Sequence, residues 1–209
     1  MMGINLGGNF SGMGNGENTG ASAPILNLQK NDILDLTKRN PGLKKVTLGA
    51  GWDIAAGGSD FDLDIAAFLL DANNKFTDVS NVIFFNNKMG KGIQLGGDNR
   101  TGAGNGDDEI IKINLEEIDP SRQKVIFVVT IHGAQQKRQT FGMINNSYVR
   151  LLDDANTGKE ICRFNLKEDG STATSVVFAE LYRTGMDWQF KALGEGKLAD
   201  LNGVLGLYQ

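Results

Sequence analysis

From residue 25 onward, apolar positions recur in short segments rich in Val, Ile and Phe, separated by Gly, Asn and Asp clusters roughly ten to fifteen residues apart. Residues 187–193 alternate, with Trp188, Phe190 and Ala192 on one face and Gln189 and Lys191 on the other, the pattern of a strand with one wet side. Residues 159–166 alternate likewise, and Cys162 then shares a face with Phe164 and Leu166, as a small buried apolar side chain does. Residues 125–131 are apolar on both faces, which predicts a central strand covered on each side. Further strands are predicted at residues 45–48, 61–70, 81–85, 92–95, 109–115, 148–153 and 175–182. Helical signals are few: a turn over residues 115–122 around Pro120, and Leu198, Leu201 and Leu205 at helical spacing. The pattern predicts an all-β fold, a β-sandwich of two packed, mostly antiparallel sheets with a few short helices.

The first 23 residues break this pattern. They hold seven glycines among Asn and Ser, and Glu17 is their only charged side chain, so residues 1–23 read as a flexible tail and residues 24–209 as the folded domain. A secretory signal would need a basic start and an apolar stretch of roughly 7 to 15 residues, which this segment does not offer. No apolar run approaches the roughly 18 residues that span a bilayer, and a cytoplasmic protein with no direct membrane span is expected.

Composition narrows the chemistry. With 21 basic and 25 acidic side chains, the 209-residue chain carries a net charge of −4 and no broad basic footprint, so nucleic acid is not an expected partner. One cysteine excludes an intrachain disulfide framework, and one histidine, His132, leaves too few soft ligands for a typical zinc site. Any metal site must be built from oxygen. His132 follows the apolar segment 125–131 with no Ser or Cys partner at recognisable spacing, and reads as a structural histidine.

Two segments concentrate carboxylates. In residues 60–65 the period of two places Asp60, Asp62 and Asp64 on one face and Phe61, Leu63 and Ile65 on the other. Neighbours on that face lie roughly 6 to 7 Å apart, and at an effective dielectric near 20 each ionised pair costs about 2 to 3 kcal/mol, so a positive charge belongs there. The second segment runs from Gly96 to Glu109, an Asn/Asp/Gly loop rich in oxygen donors between two predicted strands. Calcium takes six to eight such oxygens in an adaptable shell, whereas magnesium keeps waters and prefers substrate phosphates. Residues 98–109 match the length of an EF-hand loop, but Arg100, Gly102 and Ala103 stand where that motif needs ligands and a glycine. A phosphate loop is disfavoured, because Gly102, Gly104 and Gly106 lead into three acids and a strand rather than a helix N-terminus. Ordinary turn chemistry is the alternative reading of this loop. No catalytic constellation is visible.

The motifs Gly49-Ala50-Gly51-Trp52-Asp53, Asp60-Phe61-Asp62-Leu63-Asp64, Gly97-Asp98-Asn99-Arg100-Thr101-Gly102 and Gly106-Asp107-Asp108-Glu109, followed by residues 125–132, resemble the TerD family of tellurium-resistance and stress-response proteins. Phe141-Gly142 with Asn146, Glu160-Ile161, and Glu180-Leu181-Tyr182-Arg183 before Asp187-Trp188 extend the resemblance, which runs from about residue 25 to the end of the chain. It implies a calcium-binding β-sandwich with no established reaction, acting through protein partners in a stress-response complex at the inner membrane surface. By motif it carries the ligand role to Asp60, Asp62, Asp64, Asp98, Asn99, Thr101, Gly102, Gly104, Asp107, Asp108 and Glu109, with Asp53 a weaker candidate. Ala103 and Asn105 stand near positions where the family carries acids, which leaves one or two calcium ions expected. The leading reading is a non-catalytic calcium-binding module. The alternatives are a metal-dependent hydrolase using the Asp cluster, and a self-assembling scaffold subunit.

Residues 1–23 supply almost no apolar surface to offset about 1 to 2 kcal/mol per residue of backbone ordering. A chain starting at Pro24 is expected to melt like the full-length protein, as differential scanning calorimetry would show. A large drop in its midpoint would mean that the segment contributes to the folded domain.

Overall fold

The computed structural model describes residues 25–53, 61–96, 106–156, 158–166 and 172–209. Among them are thirteen strands, numbered in chain order. One sheet has seven, in the order β1 (Leu26–Leu28), β11 (Lys159–Asn165), β10 (Asn145–Asp153), β3 (Lys45–Asp53), β8 (Glu109–Asn114), β7 (Ile93–Gly96) and β6 (Met89–Gly90). The other has six, in the order β2 (Ile33–Asp35), β13 (Asp187–Lys197), β12 (Ser175–Thr184), β9 (Lys124–Ile131), β4 (Leu63–Leu70) and β5 (Val82–Ile83). Every pairing is antiparallel except that of β1 with β11. The helices α1 (Leu36–Arg39), α2 (Ala134–Lys137) and α3 (Leu201–Leu205) are all short. A β-sandwich of two mostly antiparallel sheets is the observed fold.

The apolar periodicity explains the layers. Leu63, Ile65, Ala67 and Leu69 of β4 join Val125, Phe127, Val129 and Ile131 of β9 in the main core, where they meet Val46, Leu48 and Ala50 of β3. The intervening residues Ala66, Phe68 and Leu70 of β4, with Ile126 and Val128 of β9, face the other way and form a second apolar layer. Val204 of α3 completes that layer, with Leu201, Leu205 and Tyr208 packed on it. β9 is therefore central in its sheet and covered on both faces, as its unbroken apolar run requires.

Several boundaries differ from the sequence expectation. The segment 81–85 contributes only the two-residue β5, because the chain turns at once through a Phe84–Asn87 bridge. Residues 115–122 form hydrogen-bonded turns and no helix; Asp119 accepts from the Ser121 backbone at 2.9 Å, which fixes the reversal at Pro120. Near the C-terminus, α3 begins at Leu201, its N-terminus capped by the Asp200 carboxylate accepting from Gly203 N at 2.8 Å, and it leaves Leu198 exposed outside the helix. The segments β1, β2, α1 and α2 are three or four residues each, too short to show a period.

Phe127 and Phe178 stack with ring centroids 5.9 Å apart, both fully buried. Phe127→Ala is expected to cost about 3–5 kcal/mol, through lost burial and a residual cavity. Met186→Ala, at the exposed β12–β13 turn, is expected to stay within about 0.5 kcal/mol of the parent. Urea unfolding of both variants checks the assignment of the core.

Candidate functional site: an acidic seam between the sheets

Strand β3 pairs with β8 as far as Ala50 opposite Glu109, and Asp108 N then donates to Ala50 O at 2.8 Å. The next inward amide, Trp52 N, donates to the Asp108 carboxylate at 3.1 Å, so the side chain extends the ladder where strand pairing stops. Across the sandwich, β4 is paired with β9 along its length but with β5 only at Ala67 and Phe68. The amide of Ile65 donates instead to Glu109 Oε2 at 3.0 Å. Asp108 and Glu109 are themselves buried, with 6% and 5% exposure. Two adjacent carboxylates thus fasten β8 to β3 in its own sheet and to β4 in the facing sheet. Hydrogen bonds to a charged acceptor are worth about 1.5–3 kcal/mol each, and a buried carboxylate without them would be strongly unfavourable.

Asp62 and Asp64 lie at the start of the same β4 edge. Leu63 and Ile65 point into the main core, so Asp64 takes the opposite face with Ala66 and Phe68, in agreement with the alternation read from sequence. Asp62 O accepts from His132 N at 2.7 Å, and His132 Nδ1 lies 3.4 Å from Asp64 Oδ2. The histidine therefore closes the end of β9 onto β4, a structural position, with its ring exposed beside Asp64. Asp64 and His132 also line a groove of about 810 Å³ floored by Thr130 and walled by Lys137 and Leu201.

Asp107 turns the other way. Its Oδ1 accepts from Arg150 Nε at 2.8 Å and lies 3.2 Å from the Tyr148 hydroxyl, on the outer face of the seven-stranded sheet. Glu160 bridges Arg150 at 3.0 Å and Arg163 at 2.8 and 3.0 Å, and the Arg163 guanidinium stacks 4.2 Å over the Tyr148 ring. The Arg163 hydrogen bonds hold Glu160 below the ordinary carboxylate range against the opposing effect of burial, and Arg150 adds to the lowering. Burial and the Asp107 charge raise the Tyr148 phenol. Gly49 and Gly51 form the floor beneath this network: a Cβ at residue 49 would stand 2.0 Å from Asp107 Oδ2, and one at residue 51 would stand 2.6 Å from the Tyr148 ring. No side chain larger than hydrogen fits at either position while Asp107 and Tyr148 keep their places.

Of the candidate ligands, Asp60, Asp98, Asn99, Thr101, Gly102 and Gly104 lie outside the described residues, and the side chain of Asp53 is not described. The fold brings Glu109 to the β4 edge one residue from Asp64, and sets Asp108 beside it against β3. Among the described residues, no three Asp, Glu, His or Cys side chains converge closely enough to hold an ion by themselves. Sequence reasoning misses the network of Tyr148, Arg150, Glu160 and Arg163; Tyr148 and Arg150 meet Asp107 across more than forty residues, and Glu160 and Arg163 join through those two, with no local period to announce it. Cys162 is buried, and burial pushes its thiol up to about 12, an inert state. Among the described residues, no helix is long and apolar enough to cross a membrane.

A two-sheet sandwich whose sheets are fastened by the buried carboxylates of Asp108 and Glu109 is the class of protein that fold and site define. The TerD domain model matches residues 25–208, and the chain belongs to the TerD family. It is 44% identical over 186 residues to tellurium resistance protein TerD of Serratia marcescens, covering 88% of this chain and 96% of that protein. General stress protein 16U of Bacillus subtilis is 44% identical over 175 residues, covering 82% of this chain and 90% of its own length. The crystal structure of a homologue of telluride resistance protein (TerD) from Streptomyces coelicolor A3(2) aligns with a TM-score of 0.64 at 25% identity, over 78% of this chain and 96% of that one. The relatives are named for resistance to tellurium and for general stress.

The lowered Glu160 pKa has a pH consequence. A carboxylate depressed in the folded state contributes stability that is full above its ordinary value of 4.5 and is lost as pH falls through the lowered value. Glu160→Gln is expected to destabilise the protein by about 1–3 kcal/mol at pH 7. That difference should shrink steadily below pH 4.5. Urea melts of both proteins at pH 7 and pH 3 test this, and a gap that is constant across that range would contradict the assigned ion pairs.

Proposed function

We propose that the protein is a non-catalytic calcium-binding module of a tellurium-resistance and chemical-stress-response system, acting through calcium-dependent interactions with protein partners. The observation that carries this reading is that the ends of the two acidic segments meet at one strand edge: the Glu109 carboxylate accepts from Ile65 N, the residue after Asp64, with Asp108 buried next to it. The donors there are oxygens, the chemistry that suits calcium. Asp62, Asp64, Asp108 and Glu109 would supply the described part of the shell, and Asp60, Asp98, Asn99, Thr101, Gly102 and Gly104 the rest, for one or two ions. Bound calcium would supply positive charge to offset the repulsion among these carboxylates. The chain's own contribution is to hold the carboxylates in place: the amides of Trp52 and Ile65 orient Asp108 and Glu109 by taking one oxygen of each. Membership of the TerD family and the stress-related names of the relatives support the biological setting. The partners belong to a complex at the cytoplasmic face of the inner membrane, in which self-assembly is a further mode of association.

Calcium that binds only the folded state adds RT ln(1 + [L]/Kd), about 2.7 kcal/mol at a hundredfold excess over Kd. The thermal midpoint is expected to rise in millimolar calcium over chelator, and to rise much less in magnesium. Asp62→Asn and Asp108→Asn should each weaken calcium binding about tenfold or more while sparing the metal-free fold, since the amide side chain introduced by Asp108→Asn still offers an oxygen to Trp52 N. Calorimetric melts and calcium titrations check this, and a midpoint indifferent to calcium would overturn the reading.

A further inference from the structure

We infer that Asp107 and Arg150 are positioning residues, a clamp that sets the acidic segment on the seam, and that Asp107 does not ligate the metal. The inference rests on the calcium reading above for its functional consequence, but its geometry stands without it. Asp107 belongs to a closed circuit of contacts. Its Oδ1 accepts from Arg150 Nε at 2.8 Å, Arg150 Nη1 donates to Glu160 at 3.0 Å, Glu160 receives two hydrogen bonds from Arg163, and Arg163 stacks on Tyr148. The Tyr148 hydroxyl returns to the start, 3.2 Å from both Asp107 Oδ1 and Gly106 O. Two acids and two arginines make the circuit neutral, and Asp107 and Glu160 are shielded from water, with side-chain exposures of 7% and 11%.

Three physical features fix the role of Asp107. Its charge is already met by a guanidinium at hydrogen-bond distance, and that same guanidinium would repel a calcium ion bound to the carboxylate. Its second oxygen rests on the bare backbone of Gly49, on the outer face of the sheet. The next residue, Asp108, is held at the seam by its own amide bond to Ala50 O at 2.8 Å. The outer face thus anchors residue 107 so that residues 108 and 109 enter β8 in register. Gly49 is part of the device, because any Cβ there displaces the Asp107 carboxylate.

The test uses the full chain with Arg150→Gln, Asp107→Asn, the double variant and Gly49→Ala, and reads two quantities. The first is hydrogen exchange at the Asp108 amide in calcium-free protein; the second is the calcium dissociation constant by titration calorimetry. A clamp predicts that each single variant speeds Asp108 exchange about tenfold and weakens calcium binding by a similar factor, and that the double variant is no worse than the worse single. Gly49→Ala, which leaves every charge in place, should show the same signature. If Asp107 is instead a ligand, Asp107→Asn weakens calcium far more than Arg150→Gln, and Arg150→Gln, by removing a competing cation, tightens it. Unchanged Asp108 exchange in all variants would also overturn the clamp. A parent protein that gives no calcium heat would overturn the calcium reading alone, with the exchange measurements still deciding the clamp.

Discussion

Two backbone amides at the end of the sandwich have no strand to pair with, and the rest of the acidic seam depends on how they are satisfied. Trp52 N lies beyond the last residue of β3 that pairs with β8, and Ile65 N lies on the stretch of β4 that β5 does not reach. Both residues are buried, where water cannot replace a missing acceptor. Asp108 and Glu109 supply the acceptors from consecutive positions at the start of β8. A neutral acceptor would satisfy the amides equally in number, while a carboxylate makes the stronger, charge-assisted hydrogen bond. Structure and proposed function share one cause here.

The circuit on the outer face works by the same logic at longer range. Arg150 compensates Asp107, Glu160 compensates Arg150 and Arg163, and the aromatic face of Tyr148 carries the Arg163 stack. Glycine at residues 49 and 51 lets these side chains lie directly on the sheet. The Gly-Ala-Gly-Trp-Asp motif therefore has a division of labour: the glycines admit the network on one face, while Ala50 and Trp52 enter the core on the other. Strand alternation places both tasks in five residues.

Much of this is legible in the sequence, for reasons that differ by element. The double-faced apolar run of β9 announces a central strand, and the alternation along β4 places Asp64 on the face opposite Leu63 and Ile65. Cys162 is readable as buried from its partners Phe164 and Leu166. The three-residue strands β1 and β2 are not legible, because a period of two needs more residues to appear. The Pro120 region carries a weak signal for one helical turn, and the Asp119 carboxylate, accepting from Ser121 N, holds a non-helical turn there instead. The Asp107–Arg150 pair is invisible for another reason: the two residues are adjacent only because β10 and β8 flank β3, a fact of sheet order that local pattern does not encode. Gly49 and Gly51 stand out as a motif, but their purpose is steric and appears only with the side chains above them.

Asp108 and Glu109 fasten the two sheets through the amides of Trp52 and Ile65, and in the proposed function they offer the same carboxylates to calcium. Residue-resolved hydrogen exchange at those two amides, with calcium and with chelator, tests this most directly. Slow exchange at both in chelator, slowed further by calcium, is the result expected. Exchange at loop-like rates in chelator, or rates at both sites that ignore calcium, would contradict the account.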